Sequence, residues 1–169
     1  MRIPFLVAVG LLAFTLDAGT QEKDILGKPA PEFQLDSFNG GTVKLSSLKG
    51  KVVVLDFWAV WCPPCVDSMP FFQELEDKYG SNGLVVVGLH VNDRMPAPAE
   101  VKKYLQENSI RYRNLASTTE VDDGFMVYAM PTTYVIDRKG VIRKRHVGFN
   151  PVTAPAKIEA DVRELLGLP

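Results

Sequence analysis

The ten residues Asp56-Phe57-Trp58-Ala59-Val60-Trp61-Cys62-Pro63-Pro64-Cys65 constrain the fold more than any other stretch, and they contain both cysteines of the chain. Upstream, Val52 to Leu55 is an unbroken apolar run rich in β-branched residues, the pattern of a strand covered on both faces. Downstream, Cys65, Met69, Phe72, Leu75 and Tyr79 recur at helical spacing and define one face of a helix. The cysteines therefore lie where a strand passes into a helix, with Cys62 at the helix N-terminus. Unpaired N–H groups and the positive end of the helix dipole stabilise an anion there, which favours the thiolate of Cys62. The thiolate is the species that attacks a disulfide.

Two cysteines separated by two residues close too short a loop to brace a fold, which weakens the reading of a structural staple. A CxxC also supplies half of a zinc site, and the other half would have to come from His90 and His146, the only histidines. His90 falls in an apolar strand pattern and His146 in a late hairpin, so each reads instead as a solvated or locally satisfied strand residue. No metal and no cofactor is expected. At 169 residues and 46% hydrophobic content the chain suits a single core. Its 19 basic and 20 acidic side chains leave a formal net charge of −1, with no long run of one sign. That balance argues against a nucleic-acid partner.

The N-terminus sets the compartment. Met1-Arg2 is a minimal positive start, and Ile3 to Leu16 is apolar apart from Pro4, Gly10 and Thr15, too short and interrupted for a confident span. Residues 1–18 read as a secretory signal peptide cut after Ala18, although Leu16 is larger than the residue preferred at that position. An uncleaved N-terminal anchor is the alternative. No cysteine follows the apolar region to carry a lipid. Residues 19–27 read as a flexible lead-in and residues 28–169 as the folded domain, expected to act as a monomer outside the cytoplasm, where disulfides form.

Along the domain, Lys28-Pro29-Ala30-Pro31 is extended by proline sterics. Phe33 and Leu35 alternate, Asn39-Gly40-Gly41 turns, and Val43 and Leu45 alternate again, which predicts a hairpin. Ser46 to Gly50 reads as a short helical turn closed by glycine. Pro70 should kink the helix after the cysteines, which ends near Tyr79-Gly80. Leu84 to Val91 reads as a strand, Pro96 and Pro98 as a loop, and Val101, Tyr104 and Leu105 as a helix ending near Asn108. Tyr112 to Leu115 is a strand candidate and Glu120 to Tyr128 a short helix. Pro131 opens the strand Thr132 to Asp137, where a proline belongs because it cannot donate to a ladder. Val141 to Val147 follows as a strand, and Ile158, Val162 and Leu165 mark a last helix. Alternation of this kind predicts an α/β protein with a central mixed sheet flanked by helices.

Strand, aromatic pair, CxxC and helix, with Met130-Pro131-Thr132-Thr133-Tyr134-Val135-Ile136-Asp137 far downstream, resemble thioredoxin-like proteins. The Trp-Cys-Pro-Pro-Cys form is similar to exported TlpA/ResA-type thiol-disulfide oxidoreductases. The resemblance covers nearly the whole chain after the leader. It implies a thioredoxin-like fold with an N-terminal β-hairpin extension, a cis bond before Pro131, and packing of Pro131 against the CxxC. It further implies that Cys62 attacks, Cys65 resolves, and Met130-Pro131 offers backbone to an extended protein substrate. Trp61 is expected to flank the reactive sulfur and Trp58 to pack beneath it.

For Asp56 two readings stand. The resemblance gives it the proton released by Cys65; alternatively it bonds a nearby backbone or Trp58 group. Burial would raise its pKa. Two departures from the family stand out: Gly88 where thioredoxin pairs a lysine with this aspartate, and Ser68 where TlpA/ResA-type proteins often carry glutamate. The implied partners are protein disulfides, including those of apocytochrome c, and a membrane thiol-disulfide electron donor. Reduction is favoured over oxidation. A peroxiredoxin-type thiol peroxidase is the competing enzyme reading, weakened by Ala59 where a threonine is typical. A non-catalytic binding module is the other alternative.

Overall fold

The computed structural model describes residues 25–91 and 97–169. The leader, most of the lead-in and Pro96 lie outside the described residues. The first strands, β1 (Gln34–Asp36) and β2 (Thr42–Lys44), pair antiparallel with Leu35 opposite Val43. Gly40 and Gly41 take φ values of 94° and 77° in the turn, which only glycine adopts freely. Leu35 and Val43 are buried while their neighbours are exposed, as the alternation requires. A 3₁₀ turn over Leu45–Leu48 then leads into β3 (Val52–Trp58), every residue of which is buried.

The remaining elements follow in order. They are α1 (Pro63–Tyr79), β4 (Leu84–His90), α2 (Pro98–Glu107), β5 (Arg113–Ala116), α3 (Thr119–Gly124), β6 (Thr132–Ile136), β7 (Ile142–Val147) and α4 (Ala154–Leu166). The main sheet has the order β5-β4-β3-β6-β7, with β3, β4 and β5 parallel and β6 and β7 antiparallel. β3 is central, which explains its near-continuous apolar run.

Alternation along β3 divides the interior in two. Val52, Val54 and Trp58 face the layer formed by α1, α2 and α4, where they meet Met69, Phe72, Val101, Leu105, Ile158 and Val162. Val53, Leu55 and Phe57 face the opposite layer, built from the hairpin, the 3₁₀ turn and the segment at α3, with Phe33, Leu35, Leu48 and Phe125. The expected mixed sheet with flanking helices and an N-terminal hairpin is what the chain forms.

Three local expectations need correction. Pro98 is not in a loop but opens α2, because a proline's missing N–H is unneeded in a first turn. The short helix expected to Tyr128 stops at Gly124. There the chain turns to bury Phe125 among Phe33, Phe57 and Tyr134, and Met126 takes φ 54°. Of the two readings of His90, solvated or locally satisfied, burial removes the first: His90 ends β4, is fully buried and meets the rings of Trp58 and Phe38 edge-on.

Candidate active site

β3 ends at Trp58, and the chain reaches α1 through Ala59 to Cys62. Cys62 is the N-cap of α1, with Pro63 and Pro64 in the first turn, where their missing N–H groups are tolerated. The amides of Cys65 and Val66 donate to the Cys62 carbonyl at 3.0 and 3.1 Å and close that turn. The two cysteines are joined as a disulfide, so this is the oxidised form. Cys62 keeps 5% of its surface exposed and Cys65 none, which places Cys62 outermost.

Beside Cys62 opens a cleft of about 600 Å³. Trp61 and Met130 line it together with Pro63, Val91, Val127 and Tyr128, and Asp122 and Asp123 of α3 supply its carboxylates. Trp61 is 41% exposed and Trp58 fully buried, the division expected of the two rings. The Met130–Pro131 peptide is cis, as the resemblance implied. The Pro131 carbonyl already accepts the Gly148 amide at 2.7 Å. Tyr128, Asp122 and Asp123 escaped sequence reasoning because that segment was read as a continuous helix. Thr118 held the clue to its placement: its hydroxyl caps α3 by accepting the Val121 amide.

Asp56 lies on the sheet face that α1 covers, and it is fully buried. Thr133 donates its hydroxyl to Asp56 Oδ1 at 2.8 Å, and Oδ2 has no hydrogen-bond partner among the described residues. Burial pushes the carboxyl pKa up to about 8, and the Thr133 bond only partly offsets this. Of the expected partners neither backbone nor Trp58 holds it; Thr133, which sequence reasoning missed, does.

Gly88 pairs directly with Asp56, as expected, and Asn114 is next in the same row on β5. A Cβ at position 88 would lie 2.1 Å from Asn114 Oδ1 and 2.9 Å from Trp58 Nε1. The space a lysine stem would need is filled. Ser68 is buried, and its hydroxyl donates to the Cys65 carbonyl at 2.7 Å. His146, on β7, bonds Asp161 of α4 at 2.9 Å, and strands β3 and β6 separate it from His90.

A five-stranded mixed sheet carrying a CxxC at a helix N-terminus, with Met130 of the cis Met130–Pro131 bond lining the same cleft as Cys62, defines a thioredoxin-fold protein with a redox-active dithiol. Residues 25–164 match the Redoxin family, and the chain belongs to it. Among its relatives, the thioredoxin-like protein YneN of Bacillus subtilis is 33% identical over 132 residues, covering 78% of this chain and 75% of that protein. The thiol-disulfide oxidoreductase ResA of Bacillus cereus is 31% identical over 150 residues, covering 86% and 85%. A crystal structure assigned as the thiol:disulfide interchange protein DsbE, from Chlorobium tepidum, superposes with a TM-score of 0.77 at 33% identity. It covers 84% of this chain and 98% of its own. With the Cys62–Cys65 pair in place, the chain is a thiol-disulfide oxidoreductase of the ResA/DsbE type.

Proposed function

We propose that this protein reduces disulfides of client proteins outside the cytoplasm. In the reduced form the Cys62 thiolate attacks one sulfur of the client disulfide, and the other client sulfur leaves as a thiolate. Cys65 then loses its proton to Asp56 and attacks Cys62, which frees the second client thiolate and leaves the Cys62–Cys65 disulfide. The observation that carries this order is the graded burial of the pair: Cys62 at the cleft, Cys65 enclosed on the sheet face that holds Asp56.

The client strand is held beside Met130. Because Pro131 has no N–H and its carbonyl is engaged by Gly148, Met130 supplies the backbone for a short β-type pairing. Trp61 offers its exposed face to the client. The signal-like N-terminus supports action outside the cytoplasm, and the oxidised pair must be recharged there by a membrane thiol-disulfide donor. The resemblance to TlpA/ResA-type proteins extends the proposal to the haem-binding cysteines of apocytochrome c as clients.

The test is a trap. Cys65→Ser in the exporting cell should accumulate mixed disulfides through Cys62, and Cys62→Ser should accumulate none. Absence of adducts with Cys65→Ser, or equal adducts with both variants, contradicts the order of attack.

A further inference from the structure

The cleft wall that carries Tyr128 is tied down by side chains from two strands. Tyr134 of β6 and Arg145 of β7 stand opposite each other in the register, so both leave the sheet on the face away from α1. The Tyr134 hydroxyl donates to the Phe125 carbonyl. Arg145 lies with Cζ 5.9 Å from the Tyr134 ring centroid and donates through Nη2 to the Met126 carbonyl at 3.2 Å. A planar guanidinium can stack and donate at once. Two consecutive carbonyls are thereby fixed where Met126 takes the left-handed φ of 54°, just before Val127 and Tyr128 join the cleft wall. Beyond Tyr128, Thr132 donates its hydroxyl to the Ala129 carbonyl at 2.7 Å.

Arg145 differs from its neighbours on β7. Arg143 pairs with Asp137, Lys144 with Asp161 and Glu164, and His146 with Asp161. Arg145 has no carboxylate in ion-pair reach among the described residues, and its enclosed Nε–H has no acceptor there. An enclosed donor without an acceptor costs stability relative to an apolar side chain of the same length. What Arg145 provides instead is a fixed carbonyl at the point from which the wall departs.

Tyr128 is 73% exposed on that wall, and the exposed Trp61 lines the same cleft beside Cys62. Contiguous exposed apolar surface marks a binding site, and aromatic side chains are enriched among the residues that carry most of the affinity at protein interfaces. We propose that Tyr128 is a client-binding residue that, with Trp61, selects a large apolar side chain beside the client disulfide, and that Arg145 is the positioning residue that holds the Tyr128 segment in place. The occupant is the extended protein segment of the proposed function, and the inference rests on that reading.

The reduced full chain is mixed with an excess of a peptide disulfide carrying leucine next to its cysteines, or serine there at equal charge. Trp61 fluorescence is followed as a function of peptide concentration. The leucine peptide should half-saturate the parent at an about tenfold lower concentration, the scale of one interface aromatic. Tyr128→Ser should abolish that difference while the limiting rate stays within about twofold, the signature of lost binding rather than lost chemistry. Arg145→Met should raise the half-saturating concentration of the leucine peptide roughly fivefold, with a urea midpoint no lower than the parent's. A merely structural role would lower the midpoint instead. In the double variant Arg145→Met should add nothing to Tyr128→Ser, because it acts through that segment. A leucine preference that survives Tyr128→Ser overturns the inference alone. A half-saturating concentration unchanged by Arg145→Met, a lowered midpoint, or additive effects in the double variant overturns the positioning role. Absence of saturation with either peptide overturns the client cleft and the inference together.

Discussion

A carboxyl with no access to water and one hydroxyl for company sets the chemistry at the level of single residues. Its folded-state pKa of about 8 lies above the ordinary 3.8. Between those values the folded chain keeps a proton that the unfolded chain has released. The stability this group confers is therefore complete below about pH 4 and is lost as pH rises through about 8. At about 1.4 kcal/mol per pKa unit the loss has an upper bound of about 6 kcal/mol. Urea unfolding of the oxidised protein should accordingly show a midpoint that falls from pH 5 to pH 8, whereas Asp56→Asn should be nearly flat and the more stable of the two above pH 8. Parallel profiles would remove the buried charge from the account. The same variant should slow closure of the Cys62–Cys65 disulfide from a mixed disulfide by about a hundredfold at pH 8 while leaving the first attack unchanged. Stopped-flow Trp61 fluorescence against thiol release separates the two steps.

At the scale of elements, β4 and β5 shape the surroundings of that carboxyl as much as β3 does. Gly88 leaves a gap that Asn114 and Trp58 fill, so Gly88→Ala should cost about 1–3 kcal/mol by overpacking. A thermal or urea midpoint equal to the parent's would show that Asn114 swings aside freely. How far sequence reveals such features depends on their range. The hairpin followed from alternation about Asn39-Gly40-Gly41, and the site of Cys62 followed from one strand pattern meeting one helix pattern. Pairing of Asp56 with Gly88 followed from family likeness. What escaped notice was set by packing between distant segments. α3 stops early because Phe125 turns into an aromatic cluster, and that turn builds the cleft wall at Tyr128. Thr133 holds Asp56 across 77 positions of sequence, through a register that no local periodicity encodes.

Across the whole molecule, the sheet separates two tasks. One layer, with the hairpin and Phe125, is apolar packing; the other carries α1, the disulfide, Asp56 and Thr133. The cleft beside Cys62 opens at the end of β3 where α1 begins, and the acidic side chains among the described residues that line it are Asp122 and Asp123. Peptide disulfides with lysine or arginine beside the attacked cysteine should thus be reduced faster than acidic counterparts, by up to about tenfold at low salt, with the difference shrinking as salt rises. Equal rates at low salt would take the cleft out of client selection.

The central claim, a reductant of protein disulfides, meets its most direct test in the reduction potential of the Cys62–Cys65 pair, obtained by equilibrating the purified protein in dithiothreitol or glutathione buffers. A reductant of this kind should show a value near or below about −250 mV, close to thioredoxin, and need recharging by a membrane donor. A value near about −120 mV would make the protein a disulfide donor and contradict it.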